Sequence, residues 1–439
     1  MPDPTTDPSL RSWVSSANTP GTDFPIQNLP FGVFRRAGTG ETPRVGVAIG
    51  DAILDIGACL ATGLLNDASP LARQGAMACA STSLNELMGR GSATRGALRA
   101  VLSALLSESA PTHSRQIAEH ALVSQSDAEL FIPAVIGDYT DFYASVHHAR
   151  NVGALFRPDQ PLLPNYKWVP IGYHGRSSSI VPSGTPVRRP SGQRKGPDDV
   201  EPSVGPSRAL DYELELGAFV SSANAQGSPI PLADVDDHLF GVCLLNDWSG
   251  RDIQSWEYQP LGPFLAKNFA TSISPWVITM EALEPFRMPL TPREDDDPYP
   301  LPYLDHPSDR ARGGFAITLE TSIRTPRMRA ERVPAARISG SSARDLYWSI
   351  GQMLAHHTSG GCNMRPGDLL GSGTISGPAR DNRGCLLELT RRGAEPLALP
   401  NGESRKFLED GDEVIMTAFA QRDGATRIGF GECRGTIIA

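Results

Sequence analysis

From about residue 134 onward, proline and glycine cut the chain into short β-like runs, among them SSIVPSGTPVRRP, HLFGVCLLND, FAITLETSI, CLLELT and DEVIMTAFA. Many short strands with few helices predict a mixed α+β unit that is predominantly β. One segment departs from the pattern. In SSARDLYWSIGQMLAHHTSGG, Leu346, Ile350, Met353 and Leu354 fall on one helical face, Ser342 and Asp345 resemble a capping box, and Gly360 supplies a stop. The acidic, proline-rich REDDDPYPLP reads as a solvated loop.

At 439 residues the chain has length for two or more domains. Residues 1–22 are polar and rich in Pro, Ser and Thr, which predicts a disordered extension. A first compact unit is expected over 23–133. Within it FGVFRR and RVGVAIGDAILDI read as hairpins of a small β-barrel, and STSLNELMGRG and RGALRAVLSALLSES carry the three- and four-residue spacing of helices. The larger β-rich unit then covers 134–439.

The net charge of −9 comes without a basic cluster, which argues against a nucleic-acid surface or an anionic membrane as partner. No stretch approaches the roughly 20 apolar residues of a membrane span, and the opening MPDPTTDPSL lacks a secretion signal, so a cytoplasmic protein is expected. The six cysteines are scattered without a CxxC pair and read as reduced, mostly packing thiols.

In LDYELELGAFV, strand alternation puts Glu213 and Glu215 on one face, about 7 Å apart. Two uncompensated carboxylates on a half-buried sheet would repel and be costly to desolvate, which calls for a cation between them. An ExE pair alone also fits a solvent-facing strand edge. Asp247 follows the apolar run LFGVCLLN, at an expected strand end, and SGRDIQSWEY then reads as a short helix capped by Ser249. On it Arg251, Gln254 and Tyr258 share a face. If GDYTDFYASVHHARNVGALFR is helical from Asp141 onward, His148 returns to the Asp141 face and His147 points away. A histidine hydrogen-bonded near a helix end is the plainer reading of the same residue. Together Asp141, Glu213, Glu215 and Asp247 would form an all-oxygen site suited to Ca²⁺ or Mg²⁺, with Lys267 offsetting the excess charge.

The longer stretches DFPIQNLPFGVF, GVAIGDAILDI, GDYTDFY, VGALFR, LPNYKWVPIGYHGRSSSIV, NDWSGRDIQSWEYQPLGPFLAKNFATSISPW, GCNMRPGDLLGSGTISG and FLEDGDEVI, spread over nearly the whole chain, resemble the fumarylacetoacetase family. The resemblance implies an N-terminal SH3-like barrel, a C-terminal mixed β-sandwich roll and a homodimer. The implied activity is hydrolysis of a small diketo acid, 4-fumarylacetoacetate, to fumarate and acetoacetate, the last step of tyrosine and phenylalanine degradation. Carried over by position, it implies Asp141, Glu213, Glu215 and Asp247 as metal ligands, His148 as general base and Glu388 as the carboxylate orienting it. Tyr143, Arg157, Tyr173, Arg251, Gln254, Tyr258, Lys267 and Thr374 match groups that contact substrate or developing charge, with Arg251, Gln254 and Lys267 as oxyanion donors. Lys267 and Thr271, with Asp247, match a second Mg²⁺-type or water-filled site. Where the family pattern has KSFGTT this chain has KNFATS, so Ala270 replaces a glycine and would be strained at positive φ. RKGPDDVEPSVGPSRA also departs and carries no predicted conformation. Two other readings share these features: a related acylpyruvate hydrolase or decarboxylase, and a non-catalytic protein whose acids merely clamp strands around calcium.

Overall fold

The computed structural model describes residues 3–439. The N-terminal unit is built on a five-stranded antiparallel sheet in the order Leu122–Ser124, Ala52–Asp55, Arg44–Ile49, Phe31–Arg36, Ala128–Phe131. Gly50, at φ +57°, makes the tight turn between Arg44–Ile49 and Ala52–Asp55, where a Cβ would meet the Ser16 hydroxyl at 2.2 Å. Helix Gly91–Leu106 packs on helix Pro70–Ala78 and starts four residues before the predicted stretch, whereas of STSLNELMGRG only Asn85–Met88 is helical.

The extension expected to be disordered is instead folded, Met1 and Pro2 lying outside the described residues. Ser12 Oγ and Trp13 Nε1 donate to the Leu106 and Leu105 carbonyls at 2.7 and 2.8 Å, and buried Arg99 donates to Thr5 Oγ1 at 2.7 Å. The last carbonyls of a helix have no partner within it, and this polar segment supplies one. Its hydroxyls, which look like a disorder signal in composition, are consumed as hydrogen-bonding groups.

The rest of the chain is mixed α+β and mostly β. One eight-stranded sheet runs Gly172–His174, Tyr139–Phe142, Leu369–Gly371, Leu214–Val220, Leu239–Asp247, Thr271–Ile273, Ile180–Pro182, with Ile278–Thr279 paired beside Leu239–Asp247. A five-stranded sheet runs Ala336–Ser342, Ile317–Arg324, Glu413–Ala420, Ile428–Ile438, Val187–Arg188. Ile317–Arg324 and Glu413–Ala420 bury alternate residues, so one face meets the core, while Leu214–Val220 and Leu239–Asp247 are buried on both faces. Leu216 and Leu244 of the first sheet share a core with Leu319, Met416 and Phe430 of the second. No helix among the described residues is long and apolar enough to cross a membrane. Five of the six cysteines are buried and all are unbridged.

Several local expectations give way to long-range pairing. The helix expected over 341–361 begins only at Ile350, because Ser342 ends a strand paired with Ile317–Arg324. Its capping box is Ser349 with Gln352, while Gly360 stops it as expected. CLLELT is a single helical turn, Leu386–Leu389, and no strand. REDDDPYPLP is not simply solvated: Glu294 accepts from Arg150 Nη1 at 2.8 Å, Asp297 pairs with Lys167, and the Asp297 side chain is only 1% exposed. That loop is thereby tied to helix Val146–Phe156.

Candidate functional site

LDYELELGAFV is not one strand. Leu210–Asp211 pairs with Ser249–Gly250, and a separate strand Leu214–Val220 pairs with Leu239–Asp247, leaving Tyr212 and Glu213 at the break. There the Asn246 side chain takes the Glu213 N–H at 3.1 Å and the Glu213 carbonyl accepts from Asp247 N at 3.3 Å. Glu213 and Glu215 therefore meet Asp247, the last residue of its strand. Asp141 arrives from Tyr139–Phe142, a strand held by parallel pairing with Leu369–Gly371. The helix expected from Asp141 starts instead at Val146, capped by the Ser145 hydroxyl.

All four acids are buried, and their ligand atoms lie within 4.8 Å of one another. Two glycines make the room. A Cβ at Gly371 would stand 2.5 Å from Asp141 Oδ1, and Gly373, at φ +71°, donates its N–H to Asp141 Oδ1 and Glu215 Oε2, both at 3.1 Å. Lys267 Nζ donates to Glu213 and, at 2.9 Å, to Asp247. Arg251 Nη1 donates to Glu213 Oε1 at 2.6 Å. These two cations leave two of the four negative charges uncompensated. Burial, followed by the charge of Asp247, pushes the Asp141 carboxyl up to about 8, and burial together with Asp141, Glu213 and Asp247 pushes Glu215 well above the carboxylate range. Burial acts on Glu213 too, but Lys267 and Arg251 outweigh it and draw the group below its ordinary value. Glu215 Oε1 is buried without a hydrogen-bond partner. Convergent hard oxygens, residual negative charge and one orphaned carboxylate oxygen fit a divalent cation of the Ca²⁺ or Mg²⁺ type.

The Lys267 ammonium does not fit the role of a ligand, whereas the Thr271 hydroxyl keeps its oxygen lone pairs. Burial opposes the charge on Lys267, but Asp247 and Glu213 more than offset it and raise its pKa, so it stays an ammonium with no lone pair to offer. Thr271 Oγ1 donates to Asp247 Oδ1 at 2.9 Å. Both brace Asp247. Ala270 is unstrained, since the positive-φ residues other than glycine are Leu29, Arg332, Arg391 and Arg392.

His148 sits in the first turn of Val146–Phe156, its Nδ1 2.6 Å from Glu388 Oε2. Glu388 also accepts from Asn151 Nδ2 and Ser376 Oγ, each at 2.8 Å, and from Cys385 Sγ at 3.2 Å. Burial would raise this carboxyl, but His148 and the donors around it hold it down to about 2. An ionised Glu388 only accepts, so the proton of this contact resides on His148 Nδ1.

These groups meet at a cavity of about 810 Å³. Asp141, His148, Glu213, Arg251, Gln254 and Lys267 line it, as do Tyr143, Arg157, Tyr173, Tyr258 and Thr374, whereas Glu215, Asp247, Thr271 and Glu388 stand behind the lining. Arg251 Nη1 also donates to Gln254 Oε1 at 3.1 Å, through the helical spacing expected. The cap on that helix is not Ser249: Gly250 precedes Arg251–Glu257, and Ser249 lies in a strand. Tyr173 lines the cavity while its hydroxyl donates to Asp247 Oδ2 at 2.7 Å. RKGPDDVEPSVGPSRA supplies the loop and second strand of the hairpin Ser191–Arg194/Ser203–Pro206, which brings Arg194 and Lys195 to the cavity. Sequence reasoning missed Asn151, Ser376 and Asp211. Only Asp211 carried a signal, since it continues the Glu213, Glu215 alternation backwards.

A buried acidic cluster beside a histidine–carboxylate pair, both serving one cavity on a mostly β scaffold, is the construction of a metal-assisted hydrolytic site. The chain matches the family model described as fumarylacetoacetate (FAA) hydrolase C-terminal over residues 138–438 and that described as fumarylacetoacetase N-terminal over 27–133. It is 46% identical to a fumarylacetoacetase from Oryza sativa subsp. japonica over 98% of this chain and 97% of the relative. With the fumarylacetoacetase of Homo sapiens it shares 48% identity over 95% of this chain and 96% of the relative. A solved fumarylacetoacetate hydrolase from Exiguobacterium antarcticum aligns over 94% of this chain and 99% of its own, at 15% identity and a TM-score of 0.49, a likeness too slight to argue from. The chain belongs to the fumarylacetoacetase family.

Proposed function

We propose that this protein hydrolyses the carbon–carbon bond of 4-fumarylacetoacetate, yielding fumarate and acetoacetate. Relatives that match nearly end to end and bear the name fumarylacetoacetase support this substrate over the related keto acids. The observation carrying the reading is the His148–Glu388 pair at 2.6 Å, whose histidine faces the cavity that Asp141 and Glu213 also line. Acids that merely clamped strands would leave that pair unexplained.

His148 Nε2 takes a proton from water, which attacks the carbonyl on the fumaroyl side of the scissile bond. The oxyanion needs donors already in place. Arg251 Nη2 is buried and unpartnered, the Gln254 amide has its oxygen occupied by Arg251 and its NH₂ free, and Lys267 keeps one N–H beyond its two carboxylate contacts. When the oxyanion collapses, the carbon–carbon bond breaks and its electron pair passes to the acetoacetate methylene as an enolate, which takes a proton from Lys267 or from a carboxyl of the acid cluster. Asp141, Glu213, Glu215 and Asp247 would hold a divalent ion, and the chemistry it would supply is Lewis-acid stabilisation of developing oxygen charge. Arg157 Nε, buried and unpartnered, and the Tyr143 and Tyr258 hydroxyls suit the substrate's terminal carboxylates. Burial keeps Tyr143 protonated and therefore a donor.

Ca²⁺ or Mg²⁺ as the ion, an SH3-like closure of the N-terminal sheet, a cytoplasmic setting and a homodimer belong to the same proposal. The exposed Leu261 and Phe264 beside the cavity, 95% and 67% accessible, support a second copy as cover. The test is turnover of 4-fumarylacetoacetate by the wild-type protein and by His148→Ala. The variant should lose about 10²–10⁴-fold in kcat while still binding Ca²⁺. Full turnover in the variant refutes the base, and none in the wild type refutes the substrate.

A further inference from the structure

Asp211 is completely buried, and its carboxylate accepts four N–H groups. Oδ1 takes Leu386 N at 2.8 Å and Tyr212 N at 2.9 Å, while Oδ2 takes Leu387 N at 2.9 Å and Arg251 Nε at 2.9 Å. The turn Leu386–Leu389 has no side-chain cap of its own, since Cys385 precedes it. Asp211, far away in sequence, satisfies the first two N–H groups of the turn, which have no partner within it. Glu388 lies on that turn, and the imidazole of His148 rests against Glu388.

On its other side the same carboxylate grips Arg251. With Nε on Asp211 and Nη1 on Glu213 and Gln254, the guanidinium plane is fixed and Nη2 is left over for an oxyanion. The backbone repeats the link, because Leu210 and Asp211 pair with Gly250 and Ser249, immediately before Arg251. Glu213 already balances the Arg251 charge, so neutralisation does not account for Asp211. Its distinctive property is contact with two elements at once.

We propose that Asp211 is a positioning residue that sets the separation between the Glu388–His148 base and the Arg251 oxyanion donor, acting through both and touching neither substrate nor metal. The inference rests on the hydrolytic roles given above to His148, Glu388 and Arg251. Asp211→Asn keeps the size of the side chain but puts an NH₂ where one of the two elements needs an acceptor. Misplacement by about 1 Å costs about 100-fold in rate, so kcat should fall by about that factor with KM little changed. If Asp211 acts through its neighbours, D211N costs less in R251K or E388Q backgrounds than in the wild type.

An active wild type with D211N at full kcat, a loss confined to KM, or effects that simply multiply would each overturn the inference. An inactive wild type instead overturns the reading on which it rests. Should D211N fail to fold, the wild-type protein still decides: ¹⁵N NMR should show Arg251 Nε–H as a single, slowly exchanging resonance. Solvent-like exchange there refutes the clamp.

Discussion

Stripping the ion from the acid cluster should reverse the usual response of stability to pH. In metal-free protein the Asp141 carboxyl, with an ordinary value of 3.8, is pushed up to about 8 by burial and by Asp247, and Glu215 moves the same way. A carboxyl raised on folding is protonated in the folded state where the unfolded chain has already lost its proton. Its stabilisation is complete below the unfolded value and lost as pH rises through the folded one. Between pH 5 and 7 Asp141 alone should lower stability by about 1.4 kcal/mol per pH unit, or roughly 3 kcal/mol in all. Binding Ca²⁺ or Mg²⁺ requires the ionised form and should expel about one to two protons at pH 7. Calorimetric titration of chelator-treated protein in buffers of different ionisation enthalpy counts those protons, and denaturant unfolding with and without the ion gives the pH slope. In Glu215→Gln the proton release should fall and the affinity with it. Proton-neutral binding at pH 7, with parallel stability curves for stripped and loaded protein, would refute the electrostatic account of the cluster.

Glu388→Gln should reduce kcat by up to about 10⁴-fold with KM and Ca²⁺ affinity retained, because an amide no longer enforces the Nδ1–H tautomer of His148. Steady-state kinetics against a Ca²⁺ titration checks this. Gly371→Ala places a Cβ 2.5 Å from Asp141 Oδ1 and 3.0 Å from Glu215 Oε2. It should weaken ion binding about 10–100-fold with the secondary structure unchanged, read by calorimetry and circular dichroism. Arg95→Met removes both hydrogen bonds from buried Arg95 to Glu281, at 2.9 and 2.8 Å, which join helix Gly91–Leu106 to the larger unit. Urea unfolding should show a loss of about 3 kcal/mol.

Where one face of an element is buried, periodicity is a direct imprint of that burial. Alternation therefore marks Ile317–Arg324 and Glu413–Ala420, Leu239–Asp247 reads instead as a continuous apolar run, and residue chemistry marks the acids whose clustering calls for a cation. Helix periodicity counted from Asp141 does not explain why His148 rather than His147 meets Glu388. Asp141 lies on a strand, and His148 is selected because Ser145 starts a helix that turns it toward Glu388. Local patterns decided wrongly wherever a distant partner outbid them. Residues 3–22 are folded by the open carbonyl end of helix Gly91–Leu106, and CLLELT is a turn because Asp211, 175 positions upstream of Leu386, takes its first N–H groups. The sequence by itself determined which residue types were present to bind an ion, carry a proton and bury alternate faces. Only the tertiary structure decided which of them share a carboxylate, since a hydrogen bond between residues far apart in the chain depends on a closed backbone path and leaves no period to read.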